Sequence, residues 1–251
     1  MGMKRMALIA AFMVFALSGA VFAGGADWIL YAYRFERALV AGGQAAIPGL
    51  DFAAIDEAAR EESYWSTASF DDSAVMERLL DIEKSIESGT IGTGIRRESL
   101  YLAAVALGRM DAPFGSGALA PGPTPRGPLS RVQACALLGT LGLPQAVPVL
   151  VEVFRRDPEP AVRAAAAQAV AAIGLDADGG ALEAFAGAAG GRLDERTASA
   201  IVDAIEGLYR ASGALDDRSG VLALFRISGG DYPRDLRAKA EKALRRLSSA
   251  K

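Results

Sequence analysis

The chain has 251 residues, with 27 Lys and Arg against 30 Asp and Glu and a formal net charge of −3. It carries no His and one Cys, which removes Ser-His-Asp and Cys-His catalysis, structural zinc and the common catalytic zinc sites. The acidic balance argues against nucleic acid as a general partner, and an apolar share of 51% is enough for a substantial core.

Lys4 and Arg5 precede a mostly apolar run from Met6 to Leu17, and Val21-Phe22-Ala23 places small or apolar residues where a signal peptidase would cut before Gly24. Residues 1–23 therefore read as a cleaved secretory signal peptide, with the mature chain in a bacterial periplasm or outside the cell. The alternative is an uncleaved anchor, for which the run is short against the ~20 apolar residues a bilayer needs and is broken by Ser18 and Gly19. After cleavage no integral membrane span is expected, and 25 bases face 30 acids, a net charge of −5. The lone Cys135 has no intramolecular disulfide partner and falls on a helix, where it reads as a small buried residue; a free reactive thiol is the other reading.

Residues 24–71 show no clear repeat. Trp28 to Val40 and Asp51 to Glu62 are expected helices, parted by Gly42-Gly43 and Pro48-Gly49, and the aromatic residues including Trp28 and Trp65 suit a helical N-terminal cap. An aromatic binding pocket is the sharper reading of the same residues. From residue 72 to 251 the pattern becomes one of helical hairpins. The first pairs Ala74–Ser88 with Ile95–Arg109, across Gly89, Gly92 and Gly94. In the second, residues 111–128 hold five prolines and four glycines and cannot sustain helical hydrogen bonding, so only Leu129–Leu141 remains. The third pairs Gln145–Arg156 with a helix from Pro160 to Ile173, which Gly174 ends. The fourth pairs Ala181–Ala189 with Glu195–Tyr209, and the fifth Gly220–Ile227 with Arg234–Ser248.

The hairpins are copies of one unit. Arg131, Ala134, Leu137, Leu138, Leu141 and Gly142 return 32 residues later as Arg163, Ala166, Ala169, Val170, Ile173 and Gly174. Leu236, Arg237, Ala240, Ala243, Leu244 and Leu247 return 74 residues after Val162, Arg163, Ala166, Ala169, Val170 and Ile173. Such periodicity specifies a stack whose core lies between neighbouring repeats.

The run Asp157-Pro158-Glu159-Pro160-Ala161-Val162-Arg163, continued to Gly174, resembles HEAT repeats, in particular the short bacterial kind first noted in phycobilisome lyases. The resemblance covers about residues 72 to 248 and implies an all-α, right-handed α-solenoid. It implies that Arg97, Arg131, Arg163 and Arg237 form a structural ladder, each pairing with an Asp or a carbonyl of a neighbouring repeat; a ligand-binding row of guanidiniums is the competing role. In the fourth unit Ala198 stands where Arg is expected, which interrupts the ladder. The resemblance also implies that the second helices line the concave side.

Carboxylates are the remaining chemistry. Glu61-Glu62, Asp71-Asp72 and Asp216-Asp217 are the candidates for an acid pair, but adjacent acids at helix starts are what the helix dipole favours. Asp176-Ala177-Asp178-Gly179 has the opening of a calcium loop, yet its twelfth position is Gly187, so an inter-repeat turn is expected. Gly89 to Gly94 lacks the strand and the Lys-Ser or Lys-Thr of a phosphate loop. No metal or cofactor is expected.

Aligned second helices place Glu98, Leu102 and Val105 beside Val132, Ala136 and Gly139, then Ala164, Gln168 and Ala171, then Ser199, Asp203 and Glu206, then Ala238, Lys242 and Arg245. This row is expected to face away from the mutual core. Its early members are apolar, so Leu102, Val105, Val132, Ala136 and Gln168 are the candidate contact residues for a protein partner. A covering loop or N-terminal segment would close the same strip. Lys239, Glu241, Lys242, Arg245 and Arg246 are expected on the outer side of the last helix, facing water. The function expected is a non-catalytic exported scaffold for protein contacts; the alternatives are a carboxylate-dependent hydrolase of envelope glycans and a purely architectural envelope subunit.

Overall fold

A computed structural model describes residues 50, 52–55, 57, 72–108, 127–212 and 218–249. The chain divides into residues 1–47 and 48–251, and every described residue lies in the second unit. The signal peptide, most of the expected cap with both tryptophans, and residues 111–126 of the Pro/Gly-rich insert lie outside the described residues.

Among the described residues the regular structure is helical, without strands. Helix α1 spans Asp72–Glu87, and its buried Val75, Leu79, Ile82 and Ile86 recur at helical spacing along one face. A 3-10 turn over Gly92–Gly94 leads into α2, Ile95–Ala106. Helix α3 spans Pro128–Leu141, with Pro128 in its first turn, where no N–H bond is lost. Gly142 ends it in the left-handed conformation. Helix α4, Val147–Arg156, follows a 3-10 turn at Pro144–Ala146 and therefore starts two residues later than the periodicity implies.

Helix α5 spans Pro160–Ile173, as the sequence predicts. Its terminator Gly174 has φ +72°, and a Cβ there would stand 2.9 Å from the Ala211 Cβ, so both conformation and space require glycine. The remaining helices are α6, Gly180–Ala189; α7, Glu195–Ser212; α8, Arg218–Ser228; and α9, Arg234–Ser249.

Two rows of helices stack in chain order. The second helices run α2, α3, α5, α7, α9, each packed on the next, and the first helices run α4, α6, α8 in the same way. Hairpin partners close the layers, most extensively α4 on α5 and α8 on α9. Where the second unit lacks a described first helix, α1 packs on α3. Burial follows the stack: Leu137, Leu138, Val149, Leu150, Val170, Phe185, Ile201, Ile205, Leu224 and Ile227 are all removed from water. Phe154 and Phe185 meet edge to face with centroids 4.9 Å apart, joining α4 to α6. The architecture is an all-α solenoid.

Candidate functional site: the faces of the second helices

The turns that start the second helices carry the ladder. Arg131, on the first turn of α3, donates through Nε to Asp157 Oδ2 at 2.7 Å and through Nη2 to Oδ1 at 3.2 Å. Asp157 lies in the turn between α4 and α5, so the pair spans neighbouring units. Arg163, on α5, donates through Nη1 to the carbonyls of Asp157 and Pro158, both at 3.0 Å, and through Nη2 to Asp194 Oδ2 at 2.9 Å. Asp194 also accepts the Thr197 N–H at 2.8 Å, which satisfies an orphan donor at the start of α7. Burial pushes the Asp194 carboxyl up, but hydrogen bonds from Thr197 and Arg163 and the charge of Arg163 outweigh it and hold the carboxyl below its usual range.

The ladder ends there. The register passes through Ala198 in α7, which has no polar side chain to continue it. Arg237 is exposed and has no side-chain hydrogen bond or ion pair within the described residues, so its assignment to the ladder is corrected. Arg97 is exposed on α2 and does have an interaction of its own. Cys135 is buried on α3; burial, and then the nearby Asp157 charge, push its thiol up to about 12 despite the opposing Arg131. At that value it is protonated at neutral pH.

The candidate contact row divides into four kinds of position. Leu102 and Val105 are buried, which corrects the expectation that they face outward. Tyr101 through Ala106 are all buried, more than a full turn, so this end of the helix has no free face. Gly139 and Ala171 are helix contacts. A Cβ on Gly139 would stand 2.9 Å from Ala169 Cα, and one on Gly207 would stand 2.8 Å from Ala171 Cβ, so α5 touches α3 and α7 almost backbone to backbone.

Most of the charged members of the row are paired. Arg78 of α1 holds both carboxylate oxygens of Glu98 at 2.9 and 3.0 Å. Lys239 of α9 donates to Asp203 Oδ2 at 2.7 Å and to Ser199 Oγ at 2.8 Å, and Arg246 of α9 donates to Glu206 Oε1 at 2.7 Å. Lys239 and Arg246 are thus bridges to α7, a correction to their expected place on the outer side. These bridges have no signal in the sequence beyond opposite charges about one repeat apart.

What remains open is the middle of the row and its end at Ala238, Lys242 and Arg245. Ala136 and Gln168 are exposed and Val132 is half-buried. Beside Gln168, a shallow depression of about 390 Å³ lies between α5 and α7, lined by Gln168, Glu195, Arg196, Ser199, Ala200 and Asp203. Asp203 is committed to Lys239, and Arg196 and Glu195 are exposed, so the depression presents a mixed polar floor.

The acid pairs singled out in the sequence have no described carboxyl groups, since Glu61, Glu62, Asp71, Asp216 and Asp217 lie outside the described residues and the side chain of Asp72 is not described. Asp176 uses both oxygens to accept the N–H groups of Ala181 and Leu182, at 3.1 and 3.0 Å, and so caps α6. Among the described residues no cluster of three or more His, Cys, Asp or Glu could hold a metal ion, and no helix is long and apolar enough to cross a membrane.

No curated protein and no solved structure matches this chain. Residues 127–206, from the turn before α3 to the middle of α7, match the family model of HEAT repeats, so the stretch that carries the Arg131 and Arg163 ladder is similar to HEAT repeats.

Proposed function

We propose that the protein is a non-catalytic scaffold, exported through its first 23 residues, that engages a protein partner along the open middle of its second-helix row. HEAT repeats commonly mediate protein–protein contacts, and the observation that carries the reading is the exposure of Ala136 and Gln168 on successive stacked helices. Stacking sets such positions at the helix-packing distance of about 8–10 Å, which offers an extended partner a series of contacts in place of one enclosed site. The phycobilisome-lyase-like character of the repeats belongs to this proposal as well, on the strength of the Asp157-to-Gly174 pattern.

The test replaces exposed side chains and leaves the core alone. Partners captured from an envelope fraction by wild type are compared with those captured by Ala136→Glu/Gln168→Glu. Selective loss of a partner, with circular dichroism and melting unchanged, supports the reading. Equal recovery by both proteins rejects it. Export is tested separately by the N-terminus of the secreted protein, which is expected at Gly24.

A further inference from the structure

Among the described residues, the last unit of the stack is uncovered in a way the one before it is not. Gly190-Gly191 aligns with Gly229-Gly230, which sets Leu182 and Ala186 of α6 against Val221 and Phe225 of α8, 39 residues on. Leu182 and Ala186 are 3% and 6% exposed, and α6 carries α8 packed against it. Val221 and Phe225 are 44% and 67% exposed, with Leu222 beside them at 42%. The aligned positions, buried on α6, therefore stay apolar on α8, where no described helix is stacked on them. Terminal repeats of a solenoid normally carry a polar outer face, and an apolar one marks a contact.

The second helix of the same unit states the charge of what covers it. On α7, Asp203 and Glu206 receive Lys239 and Arg246 of α9. The aligned positions on α9 are Lys242 and Arg245, both exposed. The sign is inverted, so a helix stacking on α9 as α9 stacks on α7 must bring carboxylates. Such a helix exists in the chain. The exposed stripe of α1 holds Glu77, Asp81 and Glu87 against one base, Lys84, with Leu80 among them at 46% exposure.

We propose that the α8–α9 face binds a second copy of this chain head to tail, with the acidic stripe of α1 as the docking element. Leu80 enters the apolar patch of Val221, Leu222 and Phe225, and Glu77 and Asp81 approach Lys242 and Arg245. The alternative symmetric pairing, face to face, would place Lys242 and Arg245 against their own copies and is disfavoured by like charge. Lys242 and Arg245 lie at the far end of the second-helix row and the other residues lie outside it, so none is part of the open middle at Ala136 and Gln168 and the association stands whether or not the scaffold reading does.

Sedimentation equilibrium of the purified protein tests it. Self-association should grow with concentration, weaken as salt is raised from about 50 to 500 mM because the charged part is screened, and weaken about tenfold or more in Phe225→Glu and in Leu80→Glu. An equimolar mixture of those two variants should give a 1:1 dimer and nothing longer, because each supplies the end the other lacks. Both substitutions are at exposed positions, and unchanged circular dichroism checks that the fold survives. Wild type that stays monomeric to about 1 mM overturns the proposal, as does a Leu80→Glu variant that still dimerises alone.

Discussion

The Arg131 guanidinium and the Asp157 carboxylate meet through two hydrogen bonds, at 2.7 and 3.2 Å, with their side chains 2% and 7% exposed. A fully desolvated ion pair is costly to make and far more costly to break on one side, because the remaining charge stays buried without its partner. Arg131→Ala should therefore lower stability by about 3–5 kcal/mol, and Asp157→Ala by a similar amount. The double variant should lose much less than the sum of the two. Urea denaturation of the four proteins gives the coupling directly, and additive losses would show that the pair contributes no more than its separate contacts.

The two close helix approaches predict different responses to one methyl group. At Gly207 the nearest atom is the Ala171 Cβ, at 2.8 Å, whereas at Gly139 it is the Ala169 Cα, at 2.9 Å. Gly207→Ala should cost about 1–3 kcal/mol, and Ala171→Gly in the same protein should relieve the clash, less about 1 kcal/mol for glycine in a helix. Gly139→Ala meets backbone and should not be rescued by Ala169→Gly. Thermal melts of the single and paired variants decide it: equal rescue at both places would mean that the helices simply move apart.

Much of this architecture is legible in the sequence, and the reasons for what is not are physical. Helix boundaries from α3 to α9 fall within about three residues of those expected, because Pro128, Pro160, Gly142 and Gly174 act locally at helix ends. Arg131 pairs with Asp157 and Arg163 with Asp194, and which acid each arginine meets is not fixed by the repeat spacing alone. The outward row was misplaced at Leu102, Val105, Gly139, Ala164 and Ala171 for two reasons. Alanine and glycine bury or expose with little change in hydropathy, so they leave the register without a sign of which side is covered. An apolar residue such as Leu102 reads equally as core and as contact surface until its neighbours in space are known.

That distinction is itself testable. Leu102 is 0% exposed, so Leu102→Glu buries a carboxylate with no partner and should unfold the protein or lower its stability by several kcal/mol. Gln168→Glu, on the exposed side of α5, should change it by less than about 0.5 kcal/mol. Melting temperatures of the two variants suffice, and a Leu102→Glu protein as stable as wild type would return that residue to the surface.

Asp194 gives the ladder a pH dependence. Its carboxyl is held below the unfolded value of about 3.9, so the unfolded chain binds more protons there as pH falls. The contribution is fully present above the unfolded pKa and is lost as pH falls through the folded one. Stability measured from about pH 6 down to about pH 2 should therefore fall less steeply in Asp194→Asn than in wild type. Parallel acid limbs would show that Arg163 and Thr197 hold the carboxylate no better than water does.

Cys135 reports on the same stack from inside. It is buried on α3, and with its thiol pushed up to about 12 by burial and by Asp157 it offers almost no thiolate at pH 8. A thiol reagent should reach it only when α3 parts from its neighbours, so labelling should be slow in the native protein and rapid in urea. Arg131→Ala removes a charge that lowers the thiol pKa, which by chemistry alone would slow labelling further. The same substitution destabilises the packing around α3, which by opening would speed it. Faster labelling in Arg131→Ala identifies the ladder as what holds the stack closed around Cys135. Native labelling of wild type at the rate of a free thiol would instead place the sulfur in contact with solvent and overturn its assignment to the core.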